Sequence, residues 1–243
     1  MAEEWIYGIN PVKEALRSGR PIYAVYVYHQ LSESKRASIV SLCEKRAIKV
    51  NLVDKSFFKV FPKAHQGVAA RVAERRFYEL EELPEISAKR DTPAFYVLVD
   101  EVEDPHNLGA IIRTSEVAGV HAVVLQKRRT ATGPTVAKAS AGAIEYLPIV
   151  QVSNIKHAIG FFKEESITII GADAGAKTVY WDVDYQGPVA IVVGSEGKGL
   201  RETVKKKCDV LVSIPMYGRV GSLNVSVATG VLLYEVLRQR RRN

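Results

Sequence analysis

The fold is decided by residues 189–238, which read VAIVVGSEGKGLRETVKKKCDVLVSIPMYGRVGSLNVSVATGVLLYEVLR. Two runs rich in branched apolar residues, Val189–Val193 and Val210–Ile214, are typical of strands buried on both faces of a parallel sheet. Each run ends in a loop that contains glycine, and the second loop leads into an apolar helix. Ligands of open parallel sheets bind beyond the carboxyl ends of the strands. We therefore expect both loops to face one pocket.

The sequence upstream repeats this alternation of strand and helix patterns. Such alternation indicates right-handed crossovers and a parallel sheet with helices packed on it, an α/β fold. The predicted strands are Phe95–Val99, Ala122–Leu125, Ile167–Gly171, Val189–Val193 and Val210–Ile214. The predicted helices are Asn107–Ala118, Val136–Ala143, Ile155–Glu164, Leu200–Lys206 and Leu223–Arg240.

Residues 1–76 have the pattern of a smaller α/β unit. Asn10 and Pro11 suit the N-cap and first position of a helix that Gly19 would end. Further predicted elements are strands at Ile22–Tyr28, Ile48–Val53 and Val68–Val72, and a helix at Ser34–Arg46. Residues 77–93 are charged, contain two prolines and predict a linker. We therefore predict a domain at 1–76, a linker at 77–93 and a second domain at 94–243.

Charge is distributed unevenly between these parts. Residues 1–76 hold 14 Lys and Arg against 7 Asp and Glu, whereas residues 77–243 hold 20 against 20. The whole formal excess of +7 therefore lies in the first domain. A basic module joined to a neutral one indicates that one binds a polyanion and the other acts on it. On charge alone, a merely solubilising surface explains the excess equally well.

Several classes of protein are disfavoured. Two cysteines, Cys43 and Cys208, are too few for a disulfide framework or a structural zinc site, and we expect them to be reduced and at least half-buried. The five histidines are isolated, so no metal site is predicted. The start MAEEWIYG has no secretory pattern, and no apolar run approaches the ~18 residues that span a bilayer. We therefore expect a cytosolic protein.

Polar residues follow the first strand of the second domain, in DEVEDPHNLGAIIRTSEVAG. Asn107 is placed to cap the helix, with or without a further function. Arg113 follows it by six residues, about 240° around the helix, and could point across a groove. The local alternative for Arg113 is an ion pair with Glu116, worth only ~0.2–0.5 kcal/mol.

The glycine-rich loop GSEGKG matches neither of the common phosphate-binding patterns. Lys198 is followed by Gly199 where a Walker A loop needs Ser or Thr, and the third Rossmann glycine is replaced by Glu202. Its glycines are more typical of backbone that passes close to a flat or bulky ligand. Glu196 is then either a functional carboxylate or an ordinary capping acid.

The last helix begins with polar residues that a buried helix does not need. Ser222 suits the N-cap position, whereas Asn224 is unusual in a first turn. The helix after it is apolar nearly all round, which predicts burial in the core or against another subunit. Its end, RQRRRN, places cations where they complement the negative helix terminus, as in a solvated basic tail.

Three segments together resemble a known family: DEVEDPHNLGAIIRTSEVAG, IVVGSEGKGL and IPMYGRVGSLNVSVATGVLLYEVLRQ. They are similar, in order and nearly without gaps, to the three motifs of RNA ribose 2′-O-methyltransferases of the SPOUT superfamily, SpoU/TrmH type. The segments GINPVKEALRSG and AHQGVAARV resemble the ribosomal-protein-like substrate-binding domain that many members carry. The most similar subgroup methylates a guanosine ribose in bacterial 23S rRNA.

The resemblance implies a parallel α/β domain with a deep trefoil knot, a smaller N-terminal α/β RNA-binding domain, and a homodimer. The implied cofactor is S-adenosylmethionine, bound largely by backbone groups. Carried over by motif, the catalytic residues are Asn107, Arg113, Glu196, Ser222 and Asn224. The cofactor-binding residues are Gly194, Ile214, Met216 and Leu223.

The resemblance leaves two questions open. Arg113 is implied to be catalytic, either as the proton acceptor or as a clamp on the phosphate beside the target ribose. The target RNA is expected to be 23S rRNA, with a tRNA ribose or a catalytically silent role in ribosome assembly as alternatives. Tyr7, Tyr23, Tyr26 and Tyr28 are candidates for stacking on unpaired bases, although strand tyrosines are more often structural.

Overall fold

A computed structural model describes residues 3–128, 130 and 133–241. The strands within them are β1 (Glu3–Tyr7), β2 (Ile22–Tyr28), β3 (Val50–Val53), β4 (Val68–Ala73), β5 (Phe95–Val99), β6 (Ala122–Gln126), β7 (Ile149–Val152), β8 (Thr168–Ala172), β9 (Thr178–Val179), β10 (Val189–Val193) and β11 (Val210–Ser213). The helices are α1 (Ile9–Ser18), α2 (Glu33–Glu44), α3 (Leu83–Ala88), α4 (Pro105–Val117), α5 (Pro134–Ala139), α6 (Ile155–Glu164), α7 (Glu202–Lys205) and α8 (Val225–Arg240).

The chain divides into two compact units. The first comprises Met1–Arg76 and Thr132–Tyr146, and the second comprises Phe77–Ala131 and Leu147–Asn243. The domain limits predicted from the sequence, 1–76 and 94–243, stay a prediction. The described residues contain no helix with the length and apolar character needed to cross a membrane.

The first unit is built on a four-stranded sheet in the order β1-β4-β2-β3. Strand β4 is antiparallel to both β1 and β2, and β2 is parallel to β3. Strand β1 was not predicted. Helix α1 begins after Gly8, whose φ of 101° is left-handed backbone, so the prediction that Asn10 is its N-cap is wrong. The turn at Gly8 already starts the helix, and Asn10 therefore lies inside the first turn.

The segment that contains α5 packs within the first unit although it follows β6 in the chain. Arg20 and Arg75 donate hydrogen bonds of 3.1 and 2.6 Å to Glu145, whose side chain is only 2% exposed. The Tyr146 hydroxyl donates to Glu14 at 2.7 Å. These contacts join the segment to helix α1, through Glu14, and to the residues that follow α1 and β4, through Arg20 and Arg75. The predicted helix Val136–Ala143 is replaced by the shorter α5 and a 3₁₀ turn at Ala143–Glu145.

The second unit contains the predicted parallel sheet, in the order β7-β6-β5-β10-β8-β11-β9. Every pairing within it is parallel, which confirms the α/β fold. All five predicted strands are present within one residue of their predicted ends, and β7 and β9 are additional. Strands β5, β6 and β10 are buried at every position, as expected for a sheet covered on both faces.

Helix α6 packs on this sheet through Phe162, whose ring stacks on Tyr96 at 4.7 Å. Leu80 and Leu83, from the predicted linker, are buried in the same core cluster. Both cysteines are free; Cys43 is buried and Cys208 is half-buried, as predicted.

Candidate active site

The loops after β10 and β11 and the start of α8 line one cavity of about 380 Å³ at the carboxyl edge of the sheet. The prediction that both loops face one pocket is therefore confirmed. The cavity is lined by all four residues implied to bind the cofactor, Gly194, Ile214, Met216 and Leu223. Of the implied catalytic residues, it is lined by Glu196 and Ser222.

The glycines of this loop make a tight turn. The Gly199 amide donates to the Ser195 carbonyl at 2.9 Å, and Gly197 and Gly199 have φ values of 77° and 63°. A Cβ atom added to Gly194 would lie 2.2 Å from the carbonyl carbon and oxygen of Gly199. Glycine is therefore required at position 194 because the loop packs against its own backbone, and not only because a ligand passes close by.

Asn224 connects the three sequence motifs. Its side-chain amide donates hydrogen bonds to Asn107 Oδ1 at 2.9 Å and to Glu196 Oε1 at 2.6 Å. The three residues are widely separated in the sequence, yet they form one polar cluster. Glu196 accepts from a side chain and does not cap a helix, so the capping alternative is wrong, and a functional role for this carboxylate stays a prediction.

The side-chain oxygen of Asn224 also starts helix α8. It accepts from the backbone amides of Ser226 at 2.9 Å and Val227 at 3.4 Å, which makes Asn224 the N-cap. The prediction that Ser222 is the cap is therefore wrong, since the helix begins two residues later. Ser222 is exposed and makes no hydrogen bond with the described residues, so its hydroxyl faces the cavity unengaged.

Asn107 is likewise not a cap. Asp104 caps α4 by accepting from the amides of His106 at 3.3 Å and Asn107 at 3.0 Å, with Pro105 at the first helical position. The predicted cap at Asn107 is wrong because the helix already begins at Pro105, so Asp104 precedes it and Asn107 lies inside the first turn. The Asn107 side chain, 8% exposed, is thereby left to accept from Asn224.

Arg113 lies on α4, which packs against α8. It is exposed and forms no hydrogen bond or ion pair with any described residue, Glu116 included. The local alternative of a pair with Glu116 is therefore wrong. The structure does not join Arg113 to the cluster of Asn107, Glu196 and Asn224, and leaves its guanidinium available to a ligand.

Sequence reasoning missed a second polar group at the same edge of the sheet. Asp100, 1% exposed at the end of β5, accepts from Arg201 Nε at 3.1 Å and from a terminal nitrogen of Arg201 at 2.5 Å. Arg201 also donates to Gln126 at the end of β6, at 2.8 Å. The hydrogen bond that Arg201 donates to the Asp100 carboxylate raises the pKa of Arg201. This pair fixes the end of the glycine-rich loop; the only signal in the sequence was an acid directly after an apolar strand.

The cavity has the properties that S-adenosylmethionine requires. Its volume lies in the ~300–1,000 Å³ range of small-molecule sites, and its lining is mainly apolar side chains and glycine backbone. Two carboxylates, Asp173 and Glu196, and one cation, Lys198, line it, and this excess of negative charge suits a ligand that carries positive charge. No three His, Cys, Asp or Glu side chains among the described residues form a group that could hold a metal ion.

Comparison with known families identifies both parts of the chain. The model of the SpoU rRNA Methylase family matches residues 94–234. A second model, described as RNA 2′-O ribose methyltransferase substrate binding, matches residues 5–78.

Similar proteins cover nearly the whole chain. YacO of Bacillus subtilis, assigned to the TrmH family of tRNA/rRNA methyltransferases, is 40% identical over 98% of this chain and 96% of its own. The 23S rRNA (guanosine-2′-O-)-methyltransferase RlmB of Escherichia coli is 37% identical over 98% of this chain and 99% of its own.

A solved structure agrees with these relatives. The SpoU methyltransferase AviRb from Streptomyces viridochromogenes, in complex with AdoMet, has a TM-score of 0.84 at 25% identity, covering 98% of this chain and 91% of its own. The family match spans more than half of the chain, and the relatives exceed 30% identity over nearly all of it. The chain therefore belongs to the SpoU rRNA methylase family, whose members are S-adenosylmethionine-dependent RNA 2′-O-methyltransferases.

Proposed function

We propose that this protein methylates the 2′-hydroxyl of a guanosine ribose in bacterial 23S rRNA. The observation that carries the proposal is the cluster in which Asn224 binds both Asn107 and Glu196 beside the cavity. The choice of RNA is supported by RlmB, which is named for this reaction and is similar to this chain over nearly its full length.

S-adenosylmethionine supplies an activated methyl group when it is bound. The residues of this chain must therefore hold the ribose oxygen in line with that methyl, at ~3–3.5 Å, which can contribute ~7–11 kcal/mol under ideal alignment. Gly194, Ile214, Met216 and Leu223 line the cavity and are proposed to bind the cofactor, largely through backbone groups. A site of this kind needs few reactive side chains.

The polar residues then act on the ribose and its proton. Asn224 holds Asn107 and Glu196 in place, and the free hydroxyl of Ser222 faces the same cavity. The Arg113 guanidinium is exposed and unpaired among the described residues, so it can bind the phosphate next to the target ribose. A guanidinium keeps its proton in proteins. To act as the proton acceptor, Arg113 must therefore first give one of its own protons to the phosphate or to water, and then take the proton of the ribose hydroxyl.

The two roles of Arg113 predict different RNA affinities in a variant that lacks the guanidinium. Replacement by Ala should abolish methylation in both cases, while S-adenosylmethionine binding survives. Loss of a phosphate clamp also weakens RNA binding, whereas loss of a proton acceptor lowers the rate at unchanged RNA affinity. Lys89→Ala is the control, because Lys89 is an exposed cation whose ion pair is with the neighbouring Glu85.

The assembly and location are part of the same proposal. A homodimer is supported by apolar side chains that remain exposed on the packed pair α4 and α8, namely Val117, Val227 and Tyr234. The trefoil knot stays a prediction from the family resemblance. We propose a cytosolic location because the rRNA substrate is found there.

The experiment is to map 2′-O-methyl groups on total RNA from cells with and without this gene, and to repeat the reaction with purified protein and labelled cofactor. A single guanosine in 23S rRNA should lose its methyl group in the deletion strain and regain it in vitro. Loss of a tRNA methyl group would reassign the substrate. Unchanged RNA, together with no cofactor binding in calorimetry, would instead indicate a silent assembly factor.

A further inference from the structure

The first unit contains an apolar pocket of about 510 Å³ that the reaction does not use. It is lined by Trp5, Tyr7, Phe57, Val60, Phe61, Pro62, Pro134 and Thr135. All of these residues belong to the first unit. The sequence had suggested tyrosines on the strands as base-stacking candidates, but three of the pocket's four aromatic rings come from Trp5, Phe57 and Phe61.

The aromatic side chains of the pocket hold one another in place. The Trp5 ring lies 5.4 Å from Phe61 and 6.1 Å from Phe57, both edge to face. Phe57 is stacked on Tyr26 at 4.7 Å. Trp5, Phe57 and Phe61 are nevertheless only half-buried, so part of each ring remains accessible. The pocket thus offers preformed aromatic surface to a planar ligand.

Two hydroxyl groups lie in the lining of this otherwise apolar pocket. Tyr7 and Thr135 contact each other through their hydroxyl oxygens at 3.3 Å. Each hydroxyl can both donate and accept, so the pair retains capacity for a further hydrogen bond. A ligand with a flat apolar face and a polar edge would satisfy both the rings and the hydroxyls.

Three exposed lysines lie close in sequence to lining residues and are called the basic rim below. Lys59 precedes Val60, Lys63 follows Pro62, and Lys55 lies two residues before Phe57. None of them forms an ion pair with a described residue. Residues 45–73 hold seven Lys and Arg and a single acid, Asp54. This excess favours a ligand whose planar group is attached to a negatively charged chain.

We propose that this pocket binds one unpaired base of the RNA substrate, with the adjacent lysines contacting its phosphates. The inference rests on the proposed function, in that it takes RNA as the substrate. A base has the flat face and polar edge that the lining fits, and its backbone carries the charge that the rim attracts. A base within a duplex is stacked on both sides, so the pocket selects single-stranded RNA.

The test uses the full chain with Trp181→Phe, which leaves Trp5 as the only tryptophan. The probe is a single-stranded decamer of adenylate RNA, compared with an abasic decamer of the same backbone and with a duplex of the same length. The single strand should quench Trp5 fluorescence and bind at least about tenfold more tightly than the other two, since stacking stabilises each base by ~1–3 kcal/mol.

Matched variants test the position of the pocket. Val60 is 82% exposed in the lining, so Val60→Glu adds a negative charge there without disturbing the core. Leu52, 59% exposed on β3, lies outside the lining, and Leu52→Glu makes the same change in net charge. Val60→Glu should weaken binding of the decamer about tenfold more than Leu52→Glu does.

Three results would overturn the proposal. They are equal quenching by the intact and abasic decamers, equal effects of the two glutamate variants, and quenching by a proline-rich peptide but not by RNA. None of these measurements depends on methyl transfer. Failure of the pocket would therefore leave the proposed function standing, and failure to methylate rRNA would leave the binding result standing.

Discussion

The two units of this protein differ in net charge and in the groups that line their pockets. The first carries the whole excess of positive charge, exposes lysines beside aromatic rings, and contains a buried ion-pair cluster around Glu145. The second is formally neutral, and its cavity is lined by glycine backbone and apolar side chains with a few polar groups at one edge. Charge and exposed rings suit binding of a long polyanion, whereas a site formed largely by backbone suits holding one cofactor in a fixed position.

The largest expected effect concerns the ion-pair cluster of the first unit. Glu145→Gln leaves the guanidinium groups of Arg20 and Arg75 buried without that carboxylate, and should destabilise the first unit by roughly 3 kcal/mol. Urea denaturation followed by Trp5 fluorescence in the Trp181→Phe background measures the change. The control is Glu3→Gln, which removes an exposed pair with Arg71 and should cost less than about 1 kcal/mol. Equal losses of unfolding free energy in the two variants would show that a buried ion pair stabilises the first unit no more than an exposed one.

The next effect concerns the backbone of the cofactor cavity. In Gly194→Ala the new methyl group would overlap Gly199, so the loop must shift and the affinity for S-adenosylmethionine should fall about 100-fold, or ~2.7 kcal/mol. Calorimetric titration measures the affinity. Gly218→Ala is the control, since no atom lies within 4 Å of the added Cβ. Unchanged affinity in Gly194→Ala would mean that the loop geometry does not define the cavity.

The stability of the second unit is expected to depend on pH through a histidine in its core. His121 is fully buried and its Nδ1 accepts from the Phe95 amide at 3.1 Å. Burial, followed by the charge of Arg90, lowers the pKa of His121 from 6.5 to about 4. The unfolded chain therefore binds this proton more readily than the folded chain between pH 6.5 and 4. The free energy of unfolding therefore has its full value above pH 6.5 and decreases as the pH falls through that range. At pH 5 it is lower by about 2 kcal/mol.

The pH effect is measured by urea denaturation at pH 7 and pH 5, followed by circular dichroism. His121→Asn keeps an acceptor for the Phe95 amide and removes the titrating group, so its stability should change less between the two pH values. His157→Asn, at an exposed position, should retain the wild-type dependence. A pH dependence that survives in His121→Asn would assign the effect to other groups.

The smallest expected effect on stability separates the two roles of Asn224. Asn224→Ser keeps a capping oxygen but lacks the amide that binds Asn107 and Glu196, whereas Asn224→Ala lacks both. The Ala variant should lose ~1 kcal/mol and the Ser variant much less. Both should lose methylation by at least about tenfold. Normal turnover in Asn224→Ser would contradict the role given to the polar cluster.

Local patterns predicted the elements of the second unit well, because they depend on burial along one stretch of chain. Strands Phe95–Val99 and Val189–Val193 and helix Ile155–Glu164 have the predicted ends. Strand β9 was missed because two residues are too few to show a period, and β7 was missed because the polar Gln151 interrupts its short apolar run. The helix caps were misplaced by two or three residues. Asp104 and Asn224 are each one of several suitable polar side chains nearby, whereas Gly8 caps α1 without a side chain, and only the folded backbone shows where each helix begins.

The sequence by itself determined the family, the parallel sheet and the basic character of the first unit, and through the family resemblance it indicated six of the residues that line the cavity. These follow from motifs, periodicity and composition, all of which are local properties of the chain. Only the tertiary structure showed that Asn224 binds both Asn107 and Glu196, that Arg201 binds Asp100, and that the segment carrying Glu145 belongs to the first unit. These are contacts between residues far apart in the sequence. Packing of the whole chain decides such contacts, and no local pattern records them.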